Sequence, residues 1–149
     1  MLESCEQNAQ QTRLAFHGIV ILFLGLLSGI GFSYAAATTD VSSGAYGAWR
    51  FAHMEGILNG LLVLAIAGVW LKFEHGARSM TVAHWLLVLG CYANIIGPII
   101  NALFIAKRLI VPETGLEAFV VYGFYIPGTL PIFALMIFLE NLFRRIRIS

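Results

Sequence analysis

One apolar stretch of this 149-residue chain carries Arg50, His53, Glu55 and Asn59 within ten residues. Ionisable groups at membrane depth cost about 2.5–3.5 kcal/mol each on insertion scales, so those that occur face a protein interior and serve a purpose. Glu55 and Asn59 are four residues apart, which puts both on one side of a helix at about 100° per residue. His53 stands about 200° from Glu55, so the two do not pair within one helix. Each then needs a partner on another helix or in a bound molecule. A neutral imidazole is the commonest metal ligand, and one is enough to hold haem iron. Zinc needs three or four donors, and no second His, Cys or acidic cluster here has suitable spacing.

Around these residues the chain is small and amide-rich. Gly56 and Gly60 make a small-xxx-small step beside Asn59, and Gly25 and Gly29 repeat it upstream. Such a step lets a neighbouring helix or a flat ligand approach the backbone. Gly90, Asn94, Gly97 and Asn101 fall on one stripe of a later apolar run, because seven-residue steps bring a helix nearly back to its starting direction. That stripe is expected to face Asn59. Plainer roles compete: Asn94 and Asn101 as interhelical hydrogen bonds, His17 and His84 as interfacial side chains, His75 as a solvated turn residue, and Cys91 as core packing. Cys5 lies in a polar tail and Cys91 in an apolar run, settings too different for a disulfide or a shared metal. His17 near the start of its helix and His53 near the far end of the next differ in depth by roughly 15–20 Å, which makes a bis-histidine haem difficult within one subunit. A haem on His53 would keep one face open.

The elements that must position these groups are membrane helices. Apolar residues make up 59% of the chain and charged residues 11%, against about 45–50% and about 25% in a soluble domain. Four apolar runs lie at about 14–34, 47–73, 80–103 and 119–142, each of roughly the 20 residues that a bilayer requires. The fold class expected is all-α, an integral membrane four-helix bundle formed by a single domain over 1–149. The first run has no convincing cleavage pattern and is long enough to span, so it reads as a retained helix. Gly97-Pro98 should loosen the third span, and Pro127 and Pro131 should bend the fourth. Arg13, Lys72, Arg78, Arg144, Arg145 and Arg147 share one side, against Arg50, Lys107 and Arg108 on the other. The positive-inside rule then puts both termini in the cytoplasm. A net charge of +1 argues against a nucleic-acid binder, and the surrounding medium is lipid. Glycine-lined faces on spans one and two are candidate contacts between subunits.

The stretch Trp49-Arg50-Phe51-Ala52-His53-Met54-Glu55-Gly56-Ile57-Leu58-Asn59-Gly60 resembles the H-x-E-G-x-x-N-G signature of hydroxylaminobenzene mutases and their relatives, the styrene oxide isomerases. His17-Gly18 in span one and Tyr92-Ala93-Asn94 in span three match as well, so three of four helices carry the likeness in order. The resemblance implies a membrane isomerase of the bacterial inner membrane with haem b bound between the subunits of a trimer. It also implies His53 as the axial metal ligand, Asn59 lining the substrate pocket and Asn94 near it. Gly56 and Arg50 are further candidate cofactor contacts. Two positions depart from the epoxide branch: Pro98 stands where that branch has a tyrosine, and Gly90 where it has an aspartate. Glu55 points to the mutase branch.

The expected reaction converts a small aromatic substrate, an arylhydroxylamine, into an aminophenol. Haem b acts as Lewis acid on the N–O oxygen, Glu55 shuttles the proton, and Asn59 and Asn94 complete the catalytic set. Epoxide-to-aldehyde isomerisation on the same fold is one competitor. A non-enzymatic electron-transfer haem protein is another, and a structural or transport bundle a third.

Overall fold

The computed structural model describes residues 2–73, 78–107, 109 and 111–148. Expectations for Glu74, His75 and Arg108 fall outside the described residues, as does the side chain of Cys5. Helix α1 covers Leu2–Thr38, α2 Gly44–Val69 and α3 Arg78–Phe104. A short 3-10 turn, Trp70–Lys72, extends α2. The fourth apolar segment is α4, Gly115–Val120, and α5, Leu130–Ile148, joined by a π turn at Val121–Tyr125 and a 3-10 turn at Pro127–Thr129. Four segments are long and apolar enough to cross a membrane: Gln7–Thr38, Gly44–Lys72, Arg78–Phe104 and Gly115–Arg147.

Two features differ from the sequence-based expectation, and the bend expected in the fourth span is present. The helix of the first span, read from about residue 14, runs back through the polar, Gln-rich amino tail to Leu2, since Gln, Glu and Ala are good helix formers and nothing in the stretch breaks the ladder. At about 1.5 Å per residue, α1 outruns a hydrocarbon core of about 30 Å and its first turns stand outside it. The third span is not interrupted at Gly97-Pro98; α3 runs on through Pro98, which is buried. The fourth span is broken, as its prolines require, into a π turn and a 3-10 turn. There the Ile126 amide reaches back to the Val121 carbonyl and Thr129 to Ile126.

Helix α3 is the central element. Its most apolar window is 56% buried, against 28%, 33% and 17% for the other spans. Leu87, Val88, Cys91 and Ile95 of α3 meet Ile21 of α1, Val63 and Ala67 of α2, and Ala134 and Phe138 of α5 in one apolar core. Cys91 is fully buried there and free, in the packing role expected of it. At the end that holds the chain termini, Gln11 donates to the Ala67 carbonyl at 2.9 Å and Arg145 to that of Lys72 at 2.6 Å.

Helices α1 and α2 touch backbone to backbone. A Cβ on Gly25 would lie 2.5 Å from the Gly56 carbonyl carbon, and one on Gly60 2.6 Å from the Leu22 nitrogen. Of the two partners expected for these small-residue steps, a neighbouring helix or a flat ligand, the structure shows the helix, α1 on α2 within the chain, on the faces that the sequence offers for contacts between subunits.

At the opposite end, Asp40 accepts from the Ser42 amide and hydroxyl, both at 2.8 Å. The amide first and the hydroxyl second hold its carboxyl below the usual carboxylate range, as hydrogen bonds to the charged form do. Ser43 caps α2 by accepting from the Tyr46 amide, the usual service of a serine at that position. Gly44 packs on the turn after α3, where a Cβ would collide with the Ala106 carbonyl oxygen. Ala106 itself has φ 54°, in the left-handed region.

Candidate functional site

Glu55 and Asn59 share a face of α2, as their spacing requires. The Asn59 amide donates to Glu55 Oε2 at 2.8 Å and to the Glu55 backbone carbonyl at 2.9 Å. Glu55 therefore finds its partner on its own helix, not on another as expected, because a four-residue step already brings the two side chains together. The Asn59 oxygen accepts from Asn94 of α3 at 3.1 Å, and Asn94 also donates to the Gly128 carbonyl at 2.9 Å. A continuous polar run, Glu55–Asn59–Asn94–Gly128, thus crosses three spans. Of the α3 stripe expected to face Asn59, only Asn94 reaches it; Gly90 packs on Pro131, Gly97 on Phe124, and Asn101 bonds Tyr125, so the stripe as a whole faces the fourth segment. Gly128 has to be glycine here, since a Cβ would collide with the Asn94 oxygen. Asn59 is 7% exposed and its donors and acceptor are taken up inside the run. Its amide positions the carboxyl. Glu55 is half-buried, and among the described residues its second carboxyl oxygen carries no hydrogen bond.

His53 faces α1 instead. Its Nδ1 lies 2.8 Å from the Gly25 carbonyl oxygen. That oxygen can only accept, so Nδ1 carries the proton, and in the neutral ring Nε2 keeps its lone pair. Gly29 leaves room for the ring: a Cβ there would be 2.8 Å from the imidazole Cε1. Phe32 stacks on it at 5.9 Å with a 22° tilt. An imidazole tied through one nitrogen to a backbone carbonyl and open at the other is the usual state of a metal-ligating histidine. These residues fit an axial haem ligand. Among the described residues no group of three His, Cys, Asp or Glu could hold a metal ion. Of the other candidate cofactor contacts, Arg50 is exposed. Gly56 meets Gly25, so the approach it permits is that of α1.

His17 and His53 stay apart in depth. His53 is level with Gly25 and Gly29, eight to twelve residues beyond His17 on α1, or roughly 12–18 Å. His17 pairs with Tyr92, Nδ1 to hydroxyl, at 3.1 Å. His84 packs edge-on against Trp70 at 5.7 Å.

A further polar group lies at the end away from the termini. Asn101, read from sequence as an interhelical bond, is 3% exposed and donates to the Lys107 carbonyl at 3.0 Å and the Tyr125 hydroxyl at 3.2 Å. Lys107 bonds Glu113 at 2.9 Å and Glu117 at 3.0 Å. These carboxylates, Glu113 first, hold its ammonium above the usual lysine range, since an opposite charge favours the charged form. Glu117 also accepts from the Glu113 amide, while Thr114 accepts from the Glu117 amide and caps α4. Sequence reasoning missed Tyr125 and Glu117. The Thr-x-x-Glu spacing at Thr114 is the helix-start signal that marks the latter.

Fold and site together define a helical protein with four membrane-length apolar segments and a carboxyl–amide run across three of them. A family model described as styrene oxide isomerase matches residues 10–143. The chain belongs to that family. Hydroxylaminobenzene mutase HabA of Ectopseudomonas oleovorans is 29% identical over 102 residues, covering 68% of this chain and 70% of that protein. Hydroxylaminobenzene mutase HabB of the same organism is 34% identical over 83 residues, 55% of this chain and 45% of the relative. In that second match the chain spans under half the relative's length. Both relatives are named as mutases and the family as an isomerase, so isomerase or mutase chemistry characterises the group.

Proposed function

We propose that this chain is a membrane mutase that converts an arylhydroxylamine into an aminophenol, with haem b held by His53. The observation that carries the reading is the Glu55 carboxyl, held by the Asn59 amide at the head of a polar run in an apolar bundle. The resemblance to two hydroxylaminobenzene mutases supports it.

Bound on His53, the haem would supply Lewis acidity toward the N–O oxygen. Over the whole reaction the N–O bond breaks, a C–O bond forms on the ring, and the ring proton moves to nitrogen. No electron is gained or lost. Glu55, through the oxygen that Asn59 leaves unbonded, takes the ring proton and returns it at nitrogen. Asn59 is the positioning residue for that carboxyl, and Asn94 fixes Asn59 by tying its oxygen. Large exposed apolar side chains such as Phe23, Ile30, Leu58 and Leu139 suit lipid and the neighbouring subunits of a trimer. Both termini are assigned to the cytoplasm of a bacterial inner membrane, on the excess of Arg and Lys at their end.

Purified protein given phenylhydroxylamine without reductant should form aminophenol, and His53→Ala should lose both pigment and turnover. An active, colourless His53→Ala protein would remove haem from the reading. The family description favours a second reading, epoxide-to-aldehyde isomerisation. Consumption of styrene oxide with phenylhydroxylamine left intact would establish it in place of the first.

A further inference from the structure

At the end of the bundle that holds the termini, a cavity of about 220 Å³ lies between α1 and α3, walled by Gln10, Arg13, His17, Thr81, His84 and Trp85. One water occupies about 30 Å³ in the liquid, so the cavity has room for a tetrahedral oxyanion. Its depth in the membrane follows from the sequence. Arg13 is the last residue before the apolar run of span one, Thr81 stands in the first turn of α3, and His17 and His84 lie one turn deeper. The cavity is therefore at the boundary between hydrocarbon and water, where His17 and His84 were expected.

Every side chain of this wall can donate a hydrogen bond: an amide, a guanidinium, two imidazoles, a hydroxyl and an indole. No carboxylate is among the described residues that line it. Arg13 is exposed and forms no ion pair with any described residue. His17 has one protein partner, the Tyr92 hydroxyl on Nδ1. The half-buried Gln10 and His84 have no side-chain hydrogen bond among the described residues, yet neither has a polar atom sealed from the surface. A wall of donors with a fixed positive charge and no negative one selects an anion, and a guanidinium suits the paired oxygens of a phosphate.

The flanks are apolar and face outward. Trp85 is 51% exposed and Leu89, one turn deeper on α3, 55%; on α1, Phe16 is 62% exposed and Ile19 59%. Tryptophan at this depth is the usual membrane-boundary residue. A soluble ion has no use for such flanks, whereas a lipid needs both parts.

We infer that this cavity binds the phosphate of an anionic phospholipid, with Arg13 as the ionic anchor, Gln10, Thr81 and His84 as further donors, and the acyl chains lying along Trp85 and Leu89. The inference is independent of the reaction proposed above.

The test uses the full chain in one detergent at about 0.15 M salt, where exposed charges beyond about 8 Å are screened. It is titrated with phosphatidylglycerol or phosphatidylcholine and read by native mass spectrometry for retained lipid and by thermal unfolding. Both lipids carry the same phosphate diester, but choline cancels its charge. Phosphatidylglycerol should be retained about tenfold or more over phosphatidylcholine, the scale of one charge-assisted contact, and should raise Tm. Arg13→Gln should lose that preference and keep the lipid-free Tm, since Arg13 is exposed and unpaired among the described residues. Arg147→Gln removes the same charge at the same end but outside the cavity wall, and it should keep the preference. Equal retention of the two lipids by the parent overturns the inference, and so does Arg13→Gln protein that still prefers phosphatidylglycerol. A third arm adds excess inorganic phosphate to the protein with phosphatidylcholine alone. If it raises Tm as phosphatidylglycerol does, the ligand is a soluble anion and the lipid assignment falls.

Discussion

Replacing Gly25 by Ala should disturb packing and site together. The added methyl would lie 2.5 Å from the Gly56 carbonyl carbon and 2.6 Å from the Ile57 nitrogen, both backbone atoms that no side-chain rotation can move. Restoring ordinary contact at 3.4 Å parts α1 from α2 by roughly 1 Å, since close-packed interiors hold no slack to absorb it. The bond from His53 Nδ1 to the Gly25 carbonyl is now 2.8 Å long. The same movement stretches it beyond hydrogen-bond range. Overpacking of this kind costs about 1–3 kcal/mol and a lost hydrogen bond about 1. Better helix propensity returns about 1. The net destabilisation expected is about 1–3 kcal/mol, a fall in Tm of roughly 3–10 °C. Thermal unfolding in one detergent measures it, with Gly47→Ala as control, since a methyl there meets nothing within 4 Å. The control should melt at or above the parent temperature. If Gly25→Ala melts with the parent, the helices are not in contact where described and the coupling between packing and His53 is wrong.

Glu55→Gln keeps an acceptor for Asn59 and removes the base proposed for the reaction, so turnover should fall about 10²–10⁴-fold with Tm nearly unchanged; a variant with full activity assigns the proton transfer elsewhere. Ala106 sits in the left-handed region, so Ala106→Gly should stabilise by about 0.5–1 kcal/mol, the relief of strain less the added chain entropy, read by the same melts. Its glutamates raise the Lys107 pKa, so their stabilisation is complete below the usual lysine value of about 10.4 and is lost as pH climbs through the higher folded value. Parent and Lys107→Met should thus differ in Tm near neutral pH and converge in strong alkali. Asp40 runs the other way: its depressed pKa gives stability that is present above about 3.9 and lost as pH falls through the lower folded value. Ser42→Ala should therefore lower Tm at neutral pH and have little effect in strong acid.

Helical arithmetic made the inner site legible. Asn94 meets Asn59 as expected, although the rest of its stripe faces the fourth segment, and the offset of His53 from Glu55 sent it to a different helix from the one Asn94 occupies, as side-chain directions along a helix require. Small-residue steps at Gly25 and Gly56 announced a close approach without saying what comes close. The answer, α1 against α2, depends on the pairing of two helices that carry equivalent steps. The outer polar group at Asn101 was not legible. Asn101 meets Tyr125 only because the fourth segment inserts a π turn at Val121–Tyr125. Such a turn shifts every later residue relative to a regular helix, and no hydropathy pattern records the shift.

The prolines of spans three and four have one physical effect in common. A proline inside a helix withholds the amide that would bond the carbonyl four residues earlier, so Pro98, Pro127 and Pro131 free the carbonyls of Asn94, Gly123 and Pro127. In hydrocarbon such groups must be satisfied locally. The Pro127 carbonyl is met by a 3-10 bond from the Leu130 amide, and this tighter turn presents the neighbouring Gly128 carbonyl to the Asn94 amide. A chain of side-chain amides needs a fixed acceptor at its end, or its last donor is left unpaired in an apolar core. The irregular fourth span supplies that acceptor from backbone. The break in the helix and the order of the Glu55–Asn59–Asn94 run are thus two sides of one arrangement, in which Gly128 contributes a carbonyl and the absence of a side chain at the same place.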